Sequence, residues 1–234
     1  MTRSPLDIIP KTVAEAVKTE NYWFVIGGQA VRCFAPYRPS HDVDFGVTKA
    51  AQIKRLLGQF ERSGKIEIIE RSADTVHLNF KGVDISIFLL PKLGAHVEGQ
   101  RLTLTGLLAT KAHAILDRGT RRDFFDVYVL LQLHQLGLSD VLQALAEVYQ
   151  EPINQGLLLR AFGYFEDAEA EAPLPGEGPR DFAAVTQFFS QAVGALVVPP
   201  EGSLKIQAKH VGATPQPRIN KKTPLQSAKK SGRK

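Results

Sequence analysis

Asp42 and Asp44 lie one residue apart in "HDVDFGV", inside a run that otherwise reads as a buried β-strand. Successive strand side chains face opposite ways, so the two carboxylates share one side, about 6 to 7 Å apart along the strand, while Val43 and Phe45 take the other. Like charges that close raise each other's pKa and cost folding energy unless a cation or a hydrogen-bond network meets them. The pair therefore asks for a metal. A third carboxylate, Asp84 in "KGVDISIFLL", shares its strand face with Ser86 and Phe88. If that strand pairs beside the Asp42 strand, three acids converge on one side of the sheet. Such a cluster suits Mg2+ or Mn2+, hard cations held by a few carboxylates, waters and substrate phosphates. In two-metal phosphoryl chemistry the ions activate the attacking oxygen and steady the leaving one.

A phosphate needs its own seat. Gly27-Gly28 stands between the strand signal "NYWFVI" and the apolar "QAVRCFA", where close backbone approach and free helix-start amides can receive phosphate oxygens. Further on, Lys111, Arg118, Arg122 and Asp126 are spaced so that a single helix running through Gly119 would carry them on one face. That stripe would hold a triphosphate, with Lys111 as a point charge and an arginine in bidentate contact, while Asp123 or Asp126 orients the cations or touches base or metal. Gly119-Thr120 can also break the helix.

The elements that must position these groups fall into two halves. The pattern predicts a helix over Leu6 to Lys18, a strand over Asn21 to Ile26, a helix after the glycines, the Asp42 strand, and a helix ending at Gly64. "KIEIIER", "TVHLNF" and "VDISIFL" then read as an antiparallel meander. From Leu107 onward the apolar spacing is three and four residues, which predicts a helical bundle. Trp23, Phe124, Phe125, Phe188 and Phe189 read as core, His41 as a surface residue, and Glu166, Asp167 and Glu169 as a charged helix end. The expected divisions are residues 1–92, 93–202 and 203–234.

Composition supports a globular fold, since 44% of the 234 residues are hydrophobic and 13 are Phe. Cys33 is the only cysteine, which excludes an intrachain disulfide framework and multi-cysteine metal sites and fits a reducing compartment. The absence of a signal-peptide pattern and of any apolar run long enough to span a bilayer predicts a cytoplasmic protein with no membrane partner. The net charge of +5 conceals an asymmetry. Residues 203–234 hold 9 of the 29 Lys and Arg and none of the 24 Asp and Glu, leaving 20 basic against 24 acidic residues elsewhere. A mildly acidic fold thus carries a basic, Pro-, Ser- and Lys-rich tail whose composition predicts disorder and which can hold polyanions by charge, or serve only for solubility.

"GGQAV" followed by "RPSHDVDFGV" resembles the nucleotidyltransferase superfamily of DNA polymerase β. Within it the sequence looks like the AbiEii/AbiGii toxin family, which includes the MenT-type toxins. That family's Arg-x-Ser-x-Asp-x-Asp matches Arg38, Ser40, Asp42 and Asp44, and its second signature matches Lys111, Ala114, Arg118, Arg122, Asp123 and Asp126 without a gap. "YFEDAEAEAPLP" from Tyr164 is similar to a third element. The resemblance implies an α+β fold, a polymerase β-like mixed sheet flanked by helices and followed by a C-terminal helical bundle. It also implies Mg-dependent transfer of a nucleoside monophosphate from an NTP to an acceptor hydroxyl. Asp42, Asp44 and Asp84 would be metal ligands, with Lys111 and Asp126 also catalytic. Gly27, Gly28, Arg38, Ser40, Lys111, Arg118, Arg122 and Asp123 would bind the nucleotide. A toxin acting on the tRNA 3′ end, with a cognate antitoxin, is the implied role. Nucleotidylation of a protein or small molecule, or a non-catalytic nucleic-acid-binding regulator on the same fold, are the alternatives; intact Asp42 and Asp44 speak against the last.

Overall fold

In the computed structural model, residues 2–151, 154–178 and 180–197 are described; the basic stretch 203–234 lies outside them. Seven strands form one mixed sheet in the order β3-β4-β5-β2-β1-β7-β6. They are β1 (Trp23–Val25), β2 (Val43–Val47), β3 (Ile66–Arg71), β4 (Thr75–Phe80), β5 (Val83–Leu89), β6 (Val97–Glu98) and β7 (Arg101–Leu102). The meander β3-β4-β5 is antiparallel, β5 joins β2 in parallel, and β2 runs antiparallel to β1.

Alternation makes the two sheet faces chemically different. Val43, Phe45 and Val47 of β2, Ile85 and Ile87 of β5, and Val76, Leu78 and Phe80 of β4 are all buried. They pack beneath helices α1 (Lys11–Val17) and α3 (Ala50–Ser63), where Phe60 meets Phe45 and Phe80 at centroid distances of 6.1 and 5.1 Å. The opposite face carries Asp44, Ser86 and His77. Register pairs Asp44 with Ser86 and Ser86 with His77, so these three form a polar row across β2, β5 and β4.

The N-terminal helix expected over Leu6 to Lys18 is instead a 3-10 turn at Pro5–Asp7 followed by α1, because Pro10 has no amide to continue a helix and biases the residue before it away from helical backbone. The hairpin of β6 and β7 has no counterpart in the sequence reading; strands of two residues leave no periodicity to detect.

Helix α2 (Gly27–Phe34) leaves β1 directly at the glycines. The helical half comprises α4 (Leu104–Asp117), α5 (Arg121–His134), α6 (Leu138–Tyr149), α7 (Gln155–Phe162), α8 (Glu166–Ala170) and α9 (Asp181–Val197). It shares a continuous apolar core with the sheet half. Trp23, Phe124, Phe125 and Phe189 are buried and Phe188 packs partly buried against them, as the sequence predicts. His41 is exposed. The helix through Gly119 does not form: Gly119 has φ +55°, and α5 starts afresh at Arg121. No helix among the described residues is long and apolar enough to cross a membrane.

Candidate active site

Between the polar sheet face and α4-α5 lies a cleft of about 340 Å³. Its sheet wall carries Asp42, Asp44, Ser86 and His77, and its helical wall carries Lys111, Arg118 and Arg122. Gly27, Gly28, Arg38 and Ser40 also line it.

Both glycines are required by close approach. Gly27 has φ +60°, and a Cβ there would lie 2.3 Å from Asp44 Oδ2. A Cβ on Gly28 would meet Ser40 Oγ at 2.6 Å. The start of α2 has no side-chain cap, so its first-turn amides remain available beside the carboxylate pair. Gln29, fully buried in the next position, fixes the approach to β2: its Nε2 donates to the carbonyls of Ser40 and Asp42, each at 3.0 Å, and its Oε1 accepts from Arg32 at 2.9 Å. The sequence reading passed over Gln29; its signal is an amide side chain inside an otherwise apolar helix run.

The cations are held from behind. Arg38 grips Asp126 in bidentate fashion, Nε to Oδ1 at 3.0 Å and Nη2 to Oδ2 at 2.7 Å, and the Tyr37 hydroxyl donates to the same carboxylate. Lys111 Nζ sits 2.7 Å from Asp126 Oδ2 and 3.4 Å from Asp123 Oδ1. Arg118 forms a second bidentate pair with Asp123, at 2.8 and 3.0 Å, to which Thr120 adds its hydroxyl. Asp123 and Asp126 are both 0% exposed. Burial pushes the Asp126 carboxyl up, but Lys111 and Arg38 outweigh it and hold it below the usual carboxylate range. Burial acts likewise on Asp123, and there Arg118, Lys111 and Thr120 prevail.

Lys111, Arg118 and Arg122 thus reach the cleft although the helix expected to align them is broken, because the turn at Gly119 folds α5 back against α4. Asp123 and Asp126 do not line the cleft; they pair with the cations that do. Asp84 does not line the cleft. It keeps the predicted strand face, but Ser86 takes the register position opposite Asp44, and exposed Asp84 accepts a hydrogen bond from Asn79 at 2.8 Å. No group of three His, Cys, Asp or Glu among the described residues is placed to hold a metal. The available donor set is Asp42 and Asp44. Burial raises the Asp44 pKa and Asp42 raises it further, with Ser86, Lys111 and Arg118 only partly offsetting them.

Residues 100–195 match the family model described as nucleotidyl transferase AbiEii toxin, type IV TA system. An uncharacterized protein of Aquifex aeolicus is 26% identical over 164 residues, covering 64% of this chain and 77% of that protein. The fold is similar to that of JHP933 from Helicobacter pylori, with a TM-score of 0.51 at 18% identity, covering 88% of this chain and 97% of that one. A putative nucleotidyltransferase from Helicobacter pylori gives a TM-score of 0.48 at 17% identity, over 80% of this chain and 93% of that one. The stretch that matches this model holds Lys111, Arg118, Arg122, Asp123 and Asp126.

Proposed function

We propose that the cleft transfers a nucleoside monophosphate from an NTP to an acceptor hydroxyl with release of pyrophosphate, using Mg2+ or Mn2+ held by Asp42 and Asp44. The observation that carries this reading is the opposition of the two walls: paired carboxylates beside free helix-start amides face a cation shelf braced by buried acids. The carboxylates fit a hard divalent ion. Burial, with Asp42 beside it, holds the Asp44 pKa up, a cost that a bound cation would relieve, and two carboxylates leave room for the waters and phosphate oxygens that Mg2+ prefers. A bound ion would act as Lewis acid on a phosphoryl oxygen.

The remaining work falls to the chain's own groups. The Gly27 and Gly28 amides receive phosphate oxygens, while Lys111, Arg118 and Arg122 meet the charge that gathers on the departing pyrophosphate. Because Asp123 and Asp126 fix Lys111 and Arg118 in advance, little reorganisation is left to the moment of reaction. For the acceptor, the family's type IV toxin description supports a toxin role with an antitoxin partner. We assign the tRNA 3′ end as the acceptor, with the basic stretch 203–234 adding contacts to RNA.

The test is to incubate the protein with Mg2+, each α-labelled NTP and total tRNA. Label at the RNA 3′ end, with pyrophosphate released, is the expected outcome. Label on protein or on a small hydroxyl compound moves the acceptor, and no label anywhere overturns the reading.

A further inference from the structure

The position across from Asp44 on β5 is filled by Ser86, and its neighbour on β4 is His77. These side chains share the cleft face, and both Ser86 and His77 line the cleft beside Asp44. His77 Nδ1 lies 2.9 Å from Ser86 Oγ. Ser86 is in turn the register partner of Asp44 on the adjacent strand and lines the cleft with it.

With an ionised Asp44 beside Ser86, chemistry favours one order of donors and acceptors in this row. An ionised carboxylate can only accept, so Ser86 directs its one proton to Asp44. Its oxygen is then left to accept from His77, which requires the imidazole proton on Nδ1. Nε2 is therefore a bare lone pair. It has no hydrogen-bond partner among the described residues, and the ring is held edge-on to Phe88 at a centroid distance of 5.8 Å. Of the charged groups around the ring, Asp44 acts through Ser86, Glu70 stands opposite on β3 with its side chain exposed, and Lys111 and Arg118 belong to the far wall. The triphosphate seat at Gly27, Gly28 and Lys111 leaves the β4-β5 side of the cleft for the second substrate.

We propose that His77 receives the acceptor hydroxyl, its Nε2 accepting the hydroxyl hydrogen bond and then the proton as the oxygen attacks. This rests on the nucleotidyl-transfer reading above. In the step, the acceptor oxygen forms a bond to the α-phosphorus and the bond from that phosphorus to the bridging oxygen breaks. The electron pair of the broken bond leaves on pyrophosphate. The acceptor proton passes to His77 and from there to solvent.

Two measurements test this. The first needs no substrate: nitrogen-15 NMR of the metal-free protein at pH 8, with the His77 signal assigned by its loss in His77→Gln. The proton is expected on Nδ1, and in Ser86→Ala it should redistribute toward Nε2; a wild-type His77 protonated on Nε2 overturns the assignment. The second follows transfer of α-labelled NTP to total tRNA. His77→Gln and His77→Ala should lose on the order of 10²- to 10⁴-fold in kcat, as removal of a general base does, with the NTP dissociation constant unchanged and added imidazole partly restoring His77→Ala. Transfer within about threefold of wild type, or a loss confined to NTP binding, overturns the role of His77 and leaves the nucleotidyl-transfer reading standing. A wild-type protein that binds NTP and transfers none overturns that reading and this role with it.

Discussion

Lys111 and Asp126 meet at 2.7 Å, Nζ to Oδ2, with the lysine 3% and the aspartate 0% exposed. A lysine this deeply set is not a solvated helix residue: it lines the cleft, and its position is dictated by two carboxylates on the next helix.

Lys111→Ala should cost about tenfold to a thousandfold in kcat/KM for NTP, by removing a charge that acts on the triphosphate and on the leaving pyrophosphate. Mg2+ binding at Asp42 and Asp44 should persist, because those ligands sit on the sheet. Steady-state kinetics with each NTP, beside Mg2+ titration of the apoprotein, checks both halves. Wild-type kinetics in the variant would remove α4 from the active site.

Asp126→Asn should destabilise the fold by about 3 kcal/mol, since Arg38 would lose its counter-charge and Lys111 would keep only Asp123. The wild-type carboxyls of Asp123 and Asp126 are held below the ordinary range, so they contribute stability at and above the unfolded pKa of about 4 and lose it as pH falls toward their folded values. Urea midpoints of the wild type should therefore drop below about pH 4, and those of Asp126→Asn should drop less steeply. Parallel curves for the two proteins would contradict the burial of this pair.

Asp44 has the opposite sign. Its folded pKa is raised, so the contribution of the group is greatest at low pH and falls as pH rises from the unfolded value through the folded one. Without metal at neutral pH, Asp44→Asn should melt above the wild type. Mg2+ should raise the wild-type melting temperature and leave the variant unchanged, while nucleotide transfer by the variant falls on the order of a thousandfold. Thermal melts with and without Mg2+ decide it; equal responses would move the metal elsewhere.

Gly27→Ala would place its Cβ 2.3 Å from Asp44 Oδ2 at a φ of +60°. The left-handed backbone alone costs an alanine about 1 to 2 kcal/mol, and Asp44 must also move. Transfer should fall far more than stability, a contrast that kinetics and urea unfolding of the same sample measure. Near-normal transfer would mean that Asp44 works from another position.

Local spacing made Asp42, Asp44, Gly27 and Gly28 legible, because their relationship lies within one strand-turn-helix unit. The same alternation set Asp84 on the right face but could not place it along the neighbouring strand, and the register put Ser86 opposite Asp44. The His77 row was illegible for the same reason: its members come from three strands joined only by pairing. Lys111, Arg118 and Arg122 were found by a signature that did not depend on the helix geometry offered for them. The direction in which Asp123 and Asp126 face follows from the turn at Gly119, whose angle no periodicity encodes. Pro10 carried its own signal, which the apolar spacing of the first helix obscured.

The turn at Gly119 also fixes an order of assembly. Arg118 and Asp123 are five residues apart and Lys111 and Asp123 are twelve, whereas Arg38 and Asp126 are separated by 88. Loop-closure entropy grows with the logarithm of separation, so the long contact costs about 2.5 kcal/mol more to close than the shortest one. The cation shelf is therefore a local product of the α4-α5 hairpin and is expected to form before the sheet docks on it. The grip of Arg38 on Asp126, which spans the long separation, is expected to close after it.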